Sequence, residues 1–164
     1  YRTQTAELLI KELQLAVLRG NISEIKMLAG IASQTRGVDA TEDSGGGMAI
    51  AGQLARELNS TVAITGAQDI ISDGTRTAVI SNGHPLLARV TGAGCMATAL
   101  VGCYAGVTKD YYLAASAGIM SMGLAGEQAF ANSAAGIGSF KVGLLDAVYN
   151  LSPTDLLQGG KFDE

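Results

Sequence analysis

Two long stretches without a charged residue, 90–108 and 111–126, most constrain how this chain can fold. A helix that is apolar on all sides is buried either in a membrane or in a protein core. Glycines interrupt both stretches, small residues are frequent in them, and neither flank is biased toward lysine or arginine. We therefore predict buried core helices, and we expect no membrane partner.

Composition narrows the class of protein further. A chain of 164 residues that is 48% hydrophobic is long enough and apolar enough to form a folded core. The net charge is -4 and no basic block occurs, which argues against a nucleic-acid partner. On one helix, Cys95 and Cys103 would lie about 12 Å apart, which is too far for a disulfide. Two free thiols predict a reducing, cytoplasmic location.

Short apolar strands alternate with helices in the first half of the sequence. We predict strands at 15–18, 61–65, 70–72 and 77–80, the last two joined by a hairpin turn. We predict helices at 22–29, 48–58, 94–105, 111–131 and 139–151, the last of them closed by Pro153. An amphipathic segment with Leu8, Leu9 and Leu13 on its apolar face precedes the first strand.

This order of elements favours an α/β fold with a largely parallel sheet. About four strands are recognisable, fewer than the ~5–6 of an average sheet. Three long helices at the C-terminal end would then have little sheet to cover. The sequence therefore looks like the second part of a larger fold.

The loop VTGAGCM at residues 90–96 combines two glycines with the start of a predicted helix. Gly92 and Gly94 lack a Cβ, so the backbone there can turn tightly and approach a ligand closely. The N–H groups and the dipole at a helix N-terminus attract anions such as phosphate. Cys95 would lie in the first turn, where the same field favours a thiolate. The alternative is that the two glycines only allow close helix packing.

Two patterns at the end of the first predicted strand have both a structural and a functional interpretation. Arg19 ends the strand. Its guanidinium group offers a planar fork of N–H donors that suits nucleotide phosphates; the alternative is a charged side chain at a strand end that only contacts solvent. Asn21 and Glu24 have the spacing of a helix capping box.

Five motifs that occur in order resemble those of the hydroxyethylthiazole kinase family, within the ribokinase-like superfamily. They are LRGNISEI at 18–25, ITG at 64–66, SNGHPLL at 81–87, VTGAGC at 90–95 and GSF at 138–140. The similarity extends over essentially the whole chain. Since members of this family continue well upstream, the resemblance implies that residues 1–164 are the C-terminal portion of a single ribokinase-like kinase domain. The N-terminal half, with further strands and much of the substrate pocket, would be absent.

The resemblance implies ATP-dependent phosphorylation of the hydroxyethyl alcohol of a hydroxyethyl-methylthiazole, a step of thiamine salvage. It also implies a homotrimer and a chain that is inactive without its N-terminal half. Two alternatives stay open: another ribokinase-like kinase, acting on hydroxymethylpyrimidine or pyridoxal, and an inactive fragment or interaction module. Cys95, where most related kinases carry aspartate, and the loop at 82–84 favour the thiazole kinase.

The resemblance also implies roles for individual residues. Arg19 and Thr65 would bind ATP, and Gly92 and Gly94 would form an anion hole for the transferred phosphoryl group. Gly92 would in addition contact the substrate through its backbone, and Cys95 would be the base.

A magnesium ion near the phosphates is implied as well. Asn21 and Glu24 match the superfamily's Asn-x-x-Glu element, and a carboxylate oxygen is a suitable magnesium ligand. The sequence departs from the family after Thr65 and Gly66, where an acidic residue is usual. Here Ala67 and Gln68 precede Asp69, so we expect that carboxylate to be lost from the site.

Overall fold

The computed structural model describes residues 2–32, 44–133 and 136–164. The described residues up to 79, together with 164, form one compact unit, and the described residues from 80 to 163 form another. The elements of the first half are α1 (Arg2–Glu12), β1 (Val17–Asn21), α2 (Ile22–Ala32), α3 (Ser44–Leu58), β2 (Thr61–Thr65), β3 (Asp69–Ser72) and β4 (Thr77–Ile80). Those of the second half are a 3-10 helix (Pro85–Arg89), α4 (Ala93–Val107), α5 (Tyr111–Ser133), α6 (Ile137–Asn150), α7 (Pro153–Gly159) and β5 (Phe162–Asp163).

The sheet follows the predicted strands and confirms the α/β fold class. Its strand order is β1-β2-β3-β4-β5. β1 and β2 are parallel, with Asn21 opposite Thr65, so the carboxyl ends of both strands meet at one edge. β2 and β3 are antiparallel, with Ile64 opposite Ile70. The parallel pairing that we predict is therefore present at β1 and β2, while β3 turns back along β2.

Helices α2 and α3 cover the strands of the first unit, because each has an apolar face. Ile25 of α2, Leu54 of α3 and Val62 of β2 are completely buried in one core cluster. The predicted apolar face of α1 is not covered in the same way. Leu8 and Leu13 are more than half exposed, at 58% and 54%.

In the second unit, α5 is buried on nearly all sides, as its lack of charge predicts. Its glycines let neighbouring backbone approach closely: a Cβ on Gly118 would lie 2.7 Å from the Cα of Val101 in α4. Helix α4 is buried on one face only, through Ala93, Ala97 and Val101. The prediction of a buried core helix at 90–108 is therefore wrong for the other faces of α4, where Cys103 is exposed. Among the described residues, no helix is long and apolar enough to cross a membrane.

Two C-terminal elements, α7 and β5, were not predicted. Ser152 and Asp155 form a complete capping box, so Pro153 begins a new helix instead of only closing α6. After α7, the Lys161 carbonyl accepts a hydrogen bond from Ser81 N–H at 3.0 Å. The buried Asn82 side chain also binds this segment: its amide donates to the Gly159 carbonyl at 2.9 Å, and its Oδ1 accepts from Lys161 N–H at 2.7 Å. Asn82 thus has a structural role.

Candidate functional site

The carboxyl ends of β1 and β2 bring the two predicted ATP-binding side chains into direct contact. Arg19 Nη2 donates a hydrogen bond to Thr65 Oγ1 at 2.7 Å. The parallel register explains this contact, because it places residues 19–21 beside residues 63–65. In open α/β sheets, ligands bind at the carboxyl ends of the strands. The first unit therefore presents a cation and a hydroxyl group at such an edge.

Asn21 and Glu24 form the capping box that their spacing predicts. Asn21 Oδ1 accepts from Glu24 N–H at 2.9 Å, and Glu24 Oε2 accepts from Asn21 N–H at 2.8 Å. Glu24 is exposed, and its second carboxylate oxygen takes no part in the cap. Within the described ranges, no three acidic, histidine or cysteine residues cluster as metal ligands. One exposed carboxylate fits a magnesium ion that keeps its waters and is bound mainly by substrate phosphates.

Ala67 stands where the family usually has an acid, but Asp69 places another acidic side chain in the turn after β2. The turn from β2 to β3 is short, and Asp69 Oδ1 accepts a hydrogen bond from Gly66 N–H at 2.9 Å. Burial raises the pKa of Asp69 to about 6, although the Gly66 hydrogen bond and the positive charge of Arg19 both act to lower it. The antiparallel pairing of β2 and β3 is what brings this side chain back, and the predicted hairpin began only at Ile70.

The predicted anion hole lies at the N-terminus of α4. Gly92 is the N-cap residue and has a φ of 93°, a left-handed conformation that favours glycine. A Cβ on Gly92 would meet no atom within 4 Å, so the backbone conformation and not crowding requires the glycine. Ala93 N–H donates to the Val90 carbonyl at 3.1 Å, and Met96 N–H donates to the Gly92 carbonyl at 2.9 Å. The loop and helix junction therefore has the predicted form.

Cys95 lies in the first turn of α4 and is exposed. Its thiol is accessible, as a residue that accepts a proton from a substrate must be. Gly94 precedes it, and the Gly94 carbonyl accepts a hydrogen bond from Thr98 Oγ1 at 3.1 Å.

His84 has a structural role: its Nδ1 accepts from Leu86 N–H, and its ring stacks on Phe130 with centroids 3.8 Å apart.

The predicted site residues thus form two groups, one in each compact unit. The group of the first unit, which the structure brings together at one strand edge, consists of Arg19, Asn21, Glu24 and Thr65. The group of the second unit consists of Gly92, Gly94 and Cys95 at the start of α4.

Comparison with known proteins identifies relatives of the whole chain. The profile of the Hydroxyethylthiazole kinase family matches residues 1–154. A hydroxyethylthiazole kinase from Alkaliphilus oremlandii is 48% identical over 100% of this chain and 62% of its own length. One from Clostridium beijerinckii is 44% identical, again over 100% of this chain and 62% of its own length.

A solved structure also resembles this chain. The hydroxyethylthiazole kinase protein from Pyrococcus horikoshii superposes with a TM-score of 0.86 at 34% identity, covering 99% of this chain and 59% of that chain. The chain therefore spans about three fifths of the length of the relatives that it matches. Because the family profile covers nearly all of its residues, the chain belongs to the hydroxyethylthiazole kinase family.

Proposed function

We propose that this chain provides the ATP-handling part of a kinase that phosphorylates the hydroxyethyl alcohol of a hydroxyethyl-methylthiazole. The observation that carries the proposal is the 2.7 Å contact between Arg19 Nη2 and Thr65 Oγ1 at the carboxyl ends of β1 and β2. A guanidinium group offers several N–H donors in one plane, which matches phosphate oxygens. Because the chain belongs to the hydroxyethylthiazole kinase family, we propose that this phosphate site serves the reaction after which the family is named.

Phosphoryl transfer depends mainly on positioning and on stabilising negative charge. In our proposal, Arg19 binds oxygens of the ATP phosphates, and the Thr65 hydroxyl donates to one of them in place of its present contact. Gly92 and Gly94 allow the backbone at the start of α4 to approach the transferred group, where the helix N-terminus favours an anion. Gly92 also contacts the alcohol substrate through its backbone.

Magnesium, when bound, would neutralise part of the charge on the ATP phosphates. Glu24 is the residue that we propose to hold its hydration shell, through the carboxylate oxygen outside the capping box. Asn21 contributes indirectly, since its side chain fixes the first turn of α2 and thereby the position of Glu24.

Cys95 is proposed as the group that accepts the proton of the substrate alcohol. Cys95 takes the place of the aspartate of most related kinases, and phosphoryl transfer depends mainly on positioning and charge stabilisation, so it tolerates a different base there. The exposed position of Cys95 in the first turn of α4 is compatible with this role.

The complete enzyme, in our proposal, is one ribokinase-like domain. It consists of this chain and a further segment, which corresponds to the part of the relatives that the chain does not match. We propose that this segment is N-terminal, that the isolated chain is inactive without it, and that the enzyme is a cytoplasmic homotrimer. The chain's match to about three fifths of each relative's length supports the existence of a further segment.

The ATP-binding role of Arg19 is tested by nucleotide affinity in the complete enzyme. We expect Arg19→Met to weaken ATP binding about 10- to 100-fold, the range for losing hydrogen bonds to a charged group. The matched control is Arg76→Met, which removes an arginine that pairs with Asp73 in the hairpin turn. Equal ATP affinity of Arg19→Met and the control, measured by calorimetry, would contradict the proposal.

A further inference from the structure

Thr65, a residue of the proposed nucleotide site, is the last residue of β2 and is supported differently on its two sides. On one side lies β1, with Asn21 opposite Thr65 in the parallel register. On the other side, the antiparallel register with β3 ends one residue earlier, at Ile64 and Ile70. The paired part of β3 therefore stops just before the residue that carries the site's hydroxyl group.

The side chain of Asp69 continues the connection between the two strands. Asp69 is the first residue of β3, and its Oδ1 accepts a hydrogen bond from Gly66 N–H at 2.9 Å. Since Gly66 directly follows Thr65, this bond fixes the peptide unit that joins these two residues. Gly66, Ala67 and Gln68 are exposed, whereas Asp69 is half-buried. A side chain anchored in the sheet thus holds one end of an exposed turn.

The direction of the Thr65 hydroxyl depends on the backbone that this bond fixes. Thr65 Oγ1 accepts from Arg19 Nη2 at 2.7 Å and donates to the Gly20 carbonyl at 3.4 Å, so both contacts are to β1. A threonine side chain is stiff at χ1, and its hydroxyl therefore follows the backbone. Because a hydrogen bond weakens steeply as its geometry departs from linear, a shifted backbone would misalign the hydroxyl for a phosphate oxygen.

We propose that Asp69 is a positioning residue for nucleotide binding: its hydrogen bond to Gly66 fixes the end of β2 and thereby directs the Thr65 hydroxyl at the ATP phosphates. This inference rests on the ATP-binding role proposed for Thr65, and it adds a residue that acts on ATP only through Thr65. The property that this role requires is an oxygen that accepts a hydrogen bond, which a neutral side chain can also supply.

The first test measures ATP affinity of the complete enzyme by calorimetry. Asp69→Ala removes the acceptor, and we expect the Kd for ATP to rise about 3- to 10-fold, the range for the net loss of one hydrogen bond. Asp69→Asn keeps an oxygen that can accept from Gly66 N–H, so its Kd should stay within about twofold of the wild-type value.

Asp73→Ala is the matched control, because Asp73 holds the turn that follows the other end of β3. Its Oδ1 accepts from Thr75 N–H at 2.9 Å and from Arg76 N–H at 2.7 Å. This variant therefore loses turn contacts of the same kind, far along the strand from Thr65. It should lower the melting temperature and leave the Kd for ATP unchanged.

A double-mutant cycle with Thr65→Val separates positioning from a general effect on the fold. Thr65→Val removes the hydroxyl while keeping a β-branched side chain, and we expect the Kd for ATP to rise about tenfold. In the Thr65→Val background, Asp69→Ala should change the Kd by less than about twofold, because no hydroxyl remains to be directed. A purely structural role of Asp69 would weaken ATP binding equally in both backgrounds.

Hydrogen exchange in the wild-type enzyme tests the contact without depending on the stability of a variant. The Gly66 amide should exchange at least about tenfold more slowly than an unprotected glycine amide, although it lies in an exposed turn. Exchange at the unprotected rate would overturn the inference, since the Asp69 carboxyl group would then not hold the turn.

Three results for affinity would overturn the inference while leaving the ATP-binding role of Thr65 intact. They are equal Kd values for Asp69→Ala and the wild type, an equal loss in both Thr65 backgrounds, and a loss in Asp69→Asn as large as that in Asp69→Ala. The last result would mean that the charge of Asp69, and not its acceptor oxygen, affects ATP binding. If Thr65→Val binds ATP as tightly as the wild type, the role proposed for Thr65 fails, and the inference fails with it.

Discussion

At the residue scale, the candidate site depends on side chains that make defined contacts before any ligand binds. The Arg19 guanidinium is held by the Thr65 hydroxyl at 2.7 Å, so part of the entropy cost of ordering this long side chain is met on folding. Glu24 is fixed in the same way by the capping box with Asn21. These contacts preorganise the edge of β1 and β2 for an anionic ligand.

Cys95 allows a prediction about the proton acceptor. If its thiol is the base, Cys95→Asp should be at least as active as the wild type, because aspartate is ionised at neutral pH and suits a helix N-terminus. Cys95→Ser has a similar size but is far less acidic, and should be slower. A typical general base contributes ~10²–10⁴-fold, so for a weak base we expect a loss of at most about 100-fold in kcat.

The pH profile of kcat distinguishes a base from a packing residue. The pH dependence of the wild-type kcat should differ from that of the Cys95→Asp variant, because a thiol and a carboxylic acid differ in acidity. If Cys95→Ser matches the wild type across the same pH range, Cys95 is a packing residue, and the backbone at the start of α4 accounts for the catalysis.

The sequence predicts contacts between residues that lie close in the chain better than contacts that depend on the direction of a turn. The Asn21–Glu24 cap spans three residues and was recognised from spacing alone. Asp69 was given no role in the site, because its distance from Thr65 in sequence says nothing about the direction of the turn. Only the antiparallel register of β2 and β3 reveals that its carboxyl group meets Gly66 N–H.

At the element scale, small residues decide how closely the helices of the second unit pack. A Cβ on Gly118 of α5 would lie 2.7 Å from both the N and the Cα of Val101 in α4. These are backbone atoms, so they cannot move aside as a flexible side chain could. The separation of α4 and α5 therefore depends on the absence of a side chain at Gly118.

Gly118→Ala should destabilise the protein by about 1–3 kcal/mol, the usual cost of overpacking a core. The matched control is Gly102→Ala in α4, where a Cβ would meet nothing within 4 Å. Alanine at Gly102 should stabilise its helix by about 0.5–1 kcal/mol, because it restricts the unfolded chain. Both changes are measured by thermal or denaturant unfolding of the complete enzyme. Equal stability of the two variants would contradict the packing described for α5.

The elements that sequence analysis missed have identifiable physical causes. α7 is a short helix whose start depends on the Ser152–Asp155 capping box. From the sequence, Pro153 is interpreted only as the end of α6, so a helix that begins there is not considered. β5 has two residues, too few for a pattern of alternating burial. The exposed face of α4 was missed because Cys103 and the glycines near it have small, moderately apolar side chains that are found equally in cores and on surfaces.

At the scale of the whole molecule, two features of the first unit indicate a surface that further chain can cover. Within the described residues, β1 is the edge strand of the sheet order, and an edge strand exposes N–H and C=O groups that can pair with another strand. Leu8 of α1 and Leu13, which directly follows α1, are largely exposed. Both fit our proposal that the complete kinase contains more of the same sheet.

The 164-residue chain alone should therefore be poorly soluble or inactive, and addition of the equivalent of the family's N-terminal segment should restore kinase turnover. Sedimentation of the chain with and without that segment measures the first effect, and ADP release measures the second. Full turnover by the isolated, monomeric chain would contradict this prediction.

The central claim is that the enzyme phosphorylates a thiazole alcohol, and the most direct measurement is substrate-dependent release of ADP. The complete enzyme is incubated with ATP and magnesium, and with either the hydroxyethyl-methylthiazole alcohol or the hydroxymethylpyrimidine alcohol. Our account predicts that the thiazole alcohol gives the higher kcat/KM and that Arg19→Met reduces this value at least tenfold. Preference for the pyrimidine alcohol, or ADP release that neither alcohol stimulates, would contradict it.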